Sequence, residues 1–123
     1  RYFNYIYVRM GAHTLIHKRT EDDIWKNLFE LPLVETEKDL SEEEFLACPQ
    51  FHALFAEGEV RMVRTLLRGV KHVLSHRVIY TNFYEVTLPD NSSSFSSYQR
   101  VAVEDLDRYA VPRLIHAFLE KYV

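Results

Sequence analysis

Along residues 2–8, Phe3, Tyr5 and Tyr7 alternate with Asn4, Ile6 and Val8. Both sides of this stretch are bulky, which predicts a strand in a sheet covered on both faces. Met10-Gly11-Ala12 reads as a turn and His13 to Arg19 as a return strand, so the two are expected to pair as a hairpin. Residues 20–27 are polar and loop-like around Trp25, and Leu28 to Leu31 is a short strand stopped by Pro32. Ser41-Glu42-Glu43-Glu44 has the spacing of a capping box and predicts a short helix to about Ala47, with a further helical turn or two over 50–57. Residues 60–67 fit helix or strand equally. Gly69 to Leu74 and Arg77 to Leu88 read as long strands joined at Ser75-His76, with Val78, Tyr80, Asn82, Tyr84 and Val86 on one face. After a polar loop over 89–97, residues 98–103 form a last strand. Asp105 is expected to cap a helical turn, and Pro112 stands near the start of a final helix ending at about Tyr122. The order predicts an α+β fold, a mixed β-sheet flanked by helices in an α/β/α sandwich.

At 123 residues the chain is expected to be a single domain with its own core. Its single cysteine, Cys48, excludes an internal disulfide framework, any multi-cysteine metal site and a protein-held iron–sulfur cluster, and reads as a small buried hydrophobe. No apolar run reaches the roughly 18 residues of a membrane span, and the N-terminus has no signal-peptide pattern. The formal net charge of −3 argues against a nucleic-acid binder, but the charge is unevenly placed. Residues 20–48 carry ten acids against Lys26 and Lys38, net −8. Residues 58–77 carry Arg61, Arg64, Arg68, Lys71 and Arg77 against Glu59, net +4, with His72 and His76 beside them. That asymmetry allows a basic edge on an acidic protein, though both runs also fit plain solvated surface. His13/His17 and His72/His76 are spaced by four, but on strands such pairs are spread apart and no third ligand is evident, so no metal site is expected. Trp25 reads as a lid over the edge of the core.

Three segments resemble the C-terminal domain of MutY-type adenine DNA glycosylases. Arg19 to Glu35, with Ile24-Trp25 and Leu28-Phe29-Glu30-Leu31-Pro32, is similar to that family's R…GLW…LWEFP…E stretch, which Nudix hydrolases share in part. Val70 to His76 is similar to its H-x-F-S-H strand and loop, with Leu74 where the family usually has phenylalanine. Leu106 to Pro112 resembles its L…YA-P entry to the last helix. The matches run in order over most of the chain.

The resemblance implies a degenerate Nudix-like domain, the C-terminal part of a larger glycosylase acting in base excision repair. Its partners would be duplex DNA carrying 8-oxoguanine opposite adenine and the N-terminal catalytic domain. That domain excises the adenine and holds the family's 4Fe–4S cluster; no cofactor is expected in these residues. Ser75 and His76 would approach the lesion, with Leu74, His72, Lys71 and Arg77 around them and Arg64 and Arg68 as possible phosphate contacts. The chemistry of the lesion suits such a loop. In 8-oxoguanine N7 becomes an N–H donor and C8 gains an acceptor oxygen, so a serine hydroxyl can accept from N7–H while a backbone N–H donates to O8 or O6. A contact of that type is worth about 1–3 kcal/mol. His76 can donate to a phosphate, which positions without reading sequence. Read without the family, Ser75-His76 marks only a turn between strands. A cytoplasmic monomer associated with a bacterial nucleoid is the expected setting.

Two other function classes fit the scaffold. A nucleotide pyrophosphohydrolase needs a glycine-led helix with an R-E-x-x-E-E cluster to hold Mg²⁺. Here Leu33-Val34 follow Pro32, and Glu42-Glu43-Glu44 are consecutive at a helix start, where they favour the helix dipole. No catalytic residue is therefore expected in the chain. A plain protein-interaction domain is the third class.

Overall fold

A computed structural model describes residues 1–123. The strands are β1 (Tyr2–Arg9), β2 (His13–Lys18), β3 (Phe29–Glu30), β4 (Leu33–Thr36), β5 (Met62–Leu74), β6 (Arg77–Thr87) and β7 (Gln99–Ala102). The helices are α1 (Glu42–Ala47), α2 (Pro49–His52) and α3 (Arg113–Tyr122), with a 3₁₀ helix over Val103–Arg108. No helix is long and apolar enough to cross a membrane.

One sheet has the order β4-β1-β6-β5, and a second has the order β3-β2-β7. β1 runs parallel to β6 and antiparallel to β4. Its alternating residues enter two separate cores. Phe3, Tyr5 and Tyr7 join Ile79, Phe83 and the α3 residues Leu114, Ile115 and Phe118. Ile6 and Val8 join Tyr84, Val86 and the helical residues Phe45 and Phe51. The large sheet therefore has an α3 face and an α1 face, the two-sided burial predicted from the bulk on both sides of β1.

Four local readings need correction. β1 and β2 are not a paired hairpin: beyond the Met10–His13 bridge they belong to different sheets. Both edges of β1 are taken by β4 and β6, so β2 pairs with β3 and β7 instead. β4 departs from the sequence pattern: Pro32 ends β3, but the chain re-enters extended structure at once over Leu33–Thr36. α2 is a single turn over Pro49–His52 and does not run on to residue 57. The 3₁₀ helix starts at Ala102 without a side-chain cap; Asp105 lies inside it, 3.6 Å from Arg108. The capping box at Ser41 is present, with both reciprocal hydrogen bonds made.

The ambiguous stretch 60–67 joins Gly69–Leu74 in one long strand. β5 pairs with β6 through two irregularities, between Thr65 and Leu67 and between Leu67 and Val70, each with one extra residue on β5. Gly69 sits in the second at φ +67°, with nothing within 4 Å of where a Cβ would stand, so conformation and not space requires the glycine. Its N–H donates to Asn82 Oδ1 at 2.8 Å. Asn82 donates to Asn4 Oδ1 at 2.9 Å, and Asn4 donates to Val34 O and Thr36 Oγ1. This buried polar ladder crosses all four strands and holds the bulge in place.

Candidate nucleic-acid interface

Ser75 and His76 are both exposed and form the two-residue turn between β5 and β6, at one end of the long hairpin. Leu74, just before the turn, is half-buried and packs on the α3-face core. Beside the turn on that face lies a shallow cavity of about 230 Å³ lined by Asp23, Ile24, Leu74, Ser75, His76 and Arg77. His72 is half-buried, its ring 6.4 Å from that of Trp25. Trp25 is part of the core, packed edge-on against Phe3 at 5.9 Å. Cys48 is half-buried against the α1-face core.

The wall opposite the turn is held by a buried ion cluster. Arg19 is 4% exposed and Glu30 2%. Arg19 Nη1 donates to both Glu30 oxygens, at 3.1 and 2.9 Å, and Nη2 donates to Asp23 at 2.7 Å. Its guanidinium lies 5.7 Å from the centre of the Trp25 ring. Asp23 also accepts from the Trp25 N–H at 2.9 Å. Glu30 further accepts from Tyr5 and lies 3.3 Å from His17 Nε2. Burial alone would weaken the charged form of Arg19, but donation to Asp23 and the nearby Glu30 charge outweigh it and raise its pKa. Donation from Arg19 is the main reason that the Asp23 carboxyl is held below its usual range. Arg19 and Glu30 stand within the MutY-like segment, but the sequence pattern assigns them no role. The signal lies in the sequence: an arginine directly after one apolar strand and a glutamate within the next, where apolar residues are otherwise buried.

The basic run is not uniformly available. Arg64 donates to Glu85 at 2.8 Å, and Arg61 donates to the Gly58 carbonyl at 2.6 Å. Arg68 donates to Tyr84 Oη, Asp39 Oδ1 and the Leu40 carbonyl, tying β5 to the entry of α1. Lys71 and Arg77 are exposed, and neither enters the ion pairs that occupy Arg64 and Arg68. The structure thus groups Lys71, Leu74, Ser75, His76 and Arg77 about one hairpin end, with His72 beneath. Arg64 and Arg68 lie further along β5, engaged within the protein.

The NUDIX domain family model matches residues 4–121. The chain belongs to the NUDIX domain family. None of the curated proteins compared matches the sequence. Among solved structures, this NUDIX domain is similar to the C-terminal domain of mouse MUTYH, solved in complex with human PCNA. The TM-score is 0.71 at 15% identity, over 98% of this chain and 86% of that one. It is also similar to the Nudix hydrolase RenU from M. smegmatis, with TM-score 0.63 at 8% identity over 98% and 81% of the two chains. MutT protein from Methanosarcina mazei Go1 gives TM-score 0.60 at 17% identity over 98% and 90%. These likenesses show a shared fold.

Hydrolytic NUDIX domains hold Mg²⁺ on spaced carboxylates of one helix, and the residues of this NUDIX domain do not fit that ion. α1 has only six residues. Glu44 is turned back onto the Ser41 N–H at 2.9 Å, which lowers its pKa and commits it to the cap. No three His, Cys, Asp or Glu side chains are grouped closely enough to share a metal.

Proposed function

We propose that this NUDIX domain is the lesion-recognition module of a MutY-type adenine DNA glycosylase. It binds duplex DNA at 8-oxoguanine opposite adenine and leaves excision to a separate catalytic domain. The observation that carries the reading is the exposed Ser75-His76 turn at the end of the β5–β6 hairpin, set in the Val70–His76 segment that resembles the family's recognition loop. The likeness of fold to the mouse MUTYH domain supports it. Ser75 Oγ accepts from the lesion N7–H, a backbone N–H of the turn donates to O8, and His76 donates to a neighbouring phosphate. Lys71 and Arg77 add charge beside the turn. In this reading the protein works as a monomer on chromosomal DNA in the bacterial cytoplasm.

The test is a double-mutant cycle in the full-length enzyme, measuring binding and single-turnover excision on adenine opposite 8-oxoguanine and opposite guanine. Ser75→Ala alone should cost little, because the backbone donor survives and water replaces the hydroxyl. Ser75→Ala with His76→Ala should lose more than the sum of the single changes, chiefly in preference for the lesion. A double variant that keeps wild-type preference would reduce the turn to a strand connection.

The hydrolase alternative is tested directly. Incubation with 8-oxo-dGTP and Mg²⁺ should release neither phosphate nor pyrophosphate above buffer. Turnover that disappears on Glu43→Gln would overturn the assignment.

A further inference from the structure

The two faces of the hairpin end differ in chemistry. On the α3 face the turn meets the acidic loop, where Asp22 is 99% exposed and Asp23 lines the cavity. On the α1 face the loop from β4 to α1 carries Glu37 and Asp39, and Arg68 holds Asp39. Tyr2, Tyr80 and Lys71 are register partners on the adjacent strands β1, β6 and β5, so their side chains form one row across the sheet. Neighbouring strands lie about 4.8 Å apart, which makes the row roughly 10 Å wide. The Tyr2 and Tyr80 rings stack on each other at 5.6 Å with a 24° interplanar angle. The orphaned buried polar atoms are confined to Thr14 and Thr65, so the two phenol hydroxyls, which have no protein partner, open to solvent. Val73, one step toward the turn on the same face and opposite Val78, is 66% exposed. Asp39 on this face is occupied by Arg68, and Lys71 is exposed and forms none of the protein's ion pairs.

We infer that the Tyr2–Tyr80–Lys71 row is a docking surface for the sugar–phosphate backbone of duplex DNA, continuous with the Ser75-His76 turn. The inference rests on the proposed DNA-binding function and adds the face on which the duplex rides. Two neutral hydroxyl donors and one ammonium suit phosphate oxygens, and Val73 offers apolar contact to a deoxyribose. Such contacts fix orientation and carry no sequence information, so the row would serve any duplex equally.

The experiment is an NMR and fluorescence-anisotropy titration of the 123-residue chain with a short duplex, with and without 8-oxoguanine, at several salt concentrations. Amide shifts should appear at Tyr2, Lys71, Val73 and Tyr80 as well as at the turn. Tyr80→Phe keeps the ring and its stacking on Tyr2. It should weaken binding about two- to tenfold for both duplexes, with thermal stability and salt dependence unchanged. Lys71→Gln should weaken binding and lower the slope of log K against log salt by about 0.9. If both variants bind as wild type and the shifts fall on Asp23, Ile24 and Arg77, the inference fails while the DNA-binding function stands. If no duplex binds even at millimolar concentration, the proposed function fails and the inference with it. Shifts along the row that appear on adding a MutY-type catalytic domain, but not on adding DNA, would make this face a protein contact and overturn the inference.

Discussion

Replacing Glu30 by glutamine preserves the shape of the side chain and removes the charge that faces Arg19. Both groups are buried, and although Arg19 keeps Asp23 as a counter-charge, its Nη1 loses a charged acceptor where water cannot reach it. The expected cost is about 1–3 kcal/mol, measurable by urea denaturation at neutral pH. The wall formed by Asp23 and Ile24 should loosen with it. Glu59 offers a second test, at the other end of β5. Its carboxylate accepts from the Ser92, Ser93 and Ser94 hydroxyls and from the N–H groups of Ser93 and Ser94, which draws its pKa down to about 2. A depressed folded value means that the stabilisation is complete above the unfolded value near 4.5 and is lost as pH falls toward about 2. Glu59→Gln should therefore destabilise the protein at pH 7 and make no difference at pH 2. Asp23, held down mainly by Arg19, adds to the acid limb with the same sign. An unfolding curve of Glu59→Gln parallel to wild type from pH 7 to 2 would contradict this account.

The strands show where patterning succeeds and where it stops. The bulky alternation of β1 correctly indicates a strand buried on both sides, and the capping box correctly places α1. Partner choice is not written in that alternation. β1 and β2 follow each other through a tight turn and look like a hairpin, yet β1 takes β6, whose paired residues lie 78 positions on in sequence, as its parallel neighbour. The 60–67 stretch fits neither period cleanly because one extra residue between Thr65 and Leu67 breaks its period of two. The turn at Ser75-His76 was legible from the strands that flank it. The Arg19–Glu30 cluster and the Tyr2–Tyr80–Lys71 row were not, since each depends on which strands lie side by side. At this scale Gly69→Ala should cost about 1–2 kcal/mol, the price of a left-handed conformation, with no steric clash. Asn82→Ala should cost more, about 2–3 kcal/mol, by leaving the Gly69 N–H and Asn4 Oδ1 without partners. Thermal melts of the two variants test the order.

For the whole molecule, the net charge of −3 is a poor guide to what DNA would meet. Counting along the sequence credits residues 58–77 with +4, but Arg64 and Arg68 are engaged by Glu85 and Asp39. What remains outward near the turn is Lys71, Arg77 and His76. The isolated domain should accordingly bind DNA weakly, at or above about micromolar dissociation constants, with a shallow salt slope set by few phosphates. Lys71→Glu should weaken binding to every duplex with little loss of stability. Arg68→Glu should instead lower the melting temperature, because it breaks the tie to Asp39, Leu40 and Tyr84. Anisotropy and calorimetry on the two variants separate the roles.

The two extra residues of β5 also set a phase. Val63 and Thr65 lie on the α1 face; after the first irregularity Leu67 lies on the α3 face; after the second, Lys71 and Val73 are back on the α1 face. One insertion inverts the parity of every later position and the second restores it. A strand one residue shorter here would have to absorb the change on one side. Either Val63 leaves its core and Arg64 loses Glu85, or Leu74 turns out to water while Lys71 turns in against Trp25. The sorting of charged and apolar side chains at the hairpin end is thus fixed by an even count of surplus residues some way down the strand. Variation in length between Thr65 and Val70 would reassign the chemistry of both faces without altering a single residue at the turn.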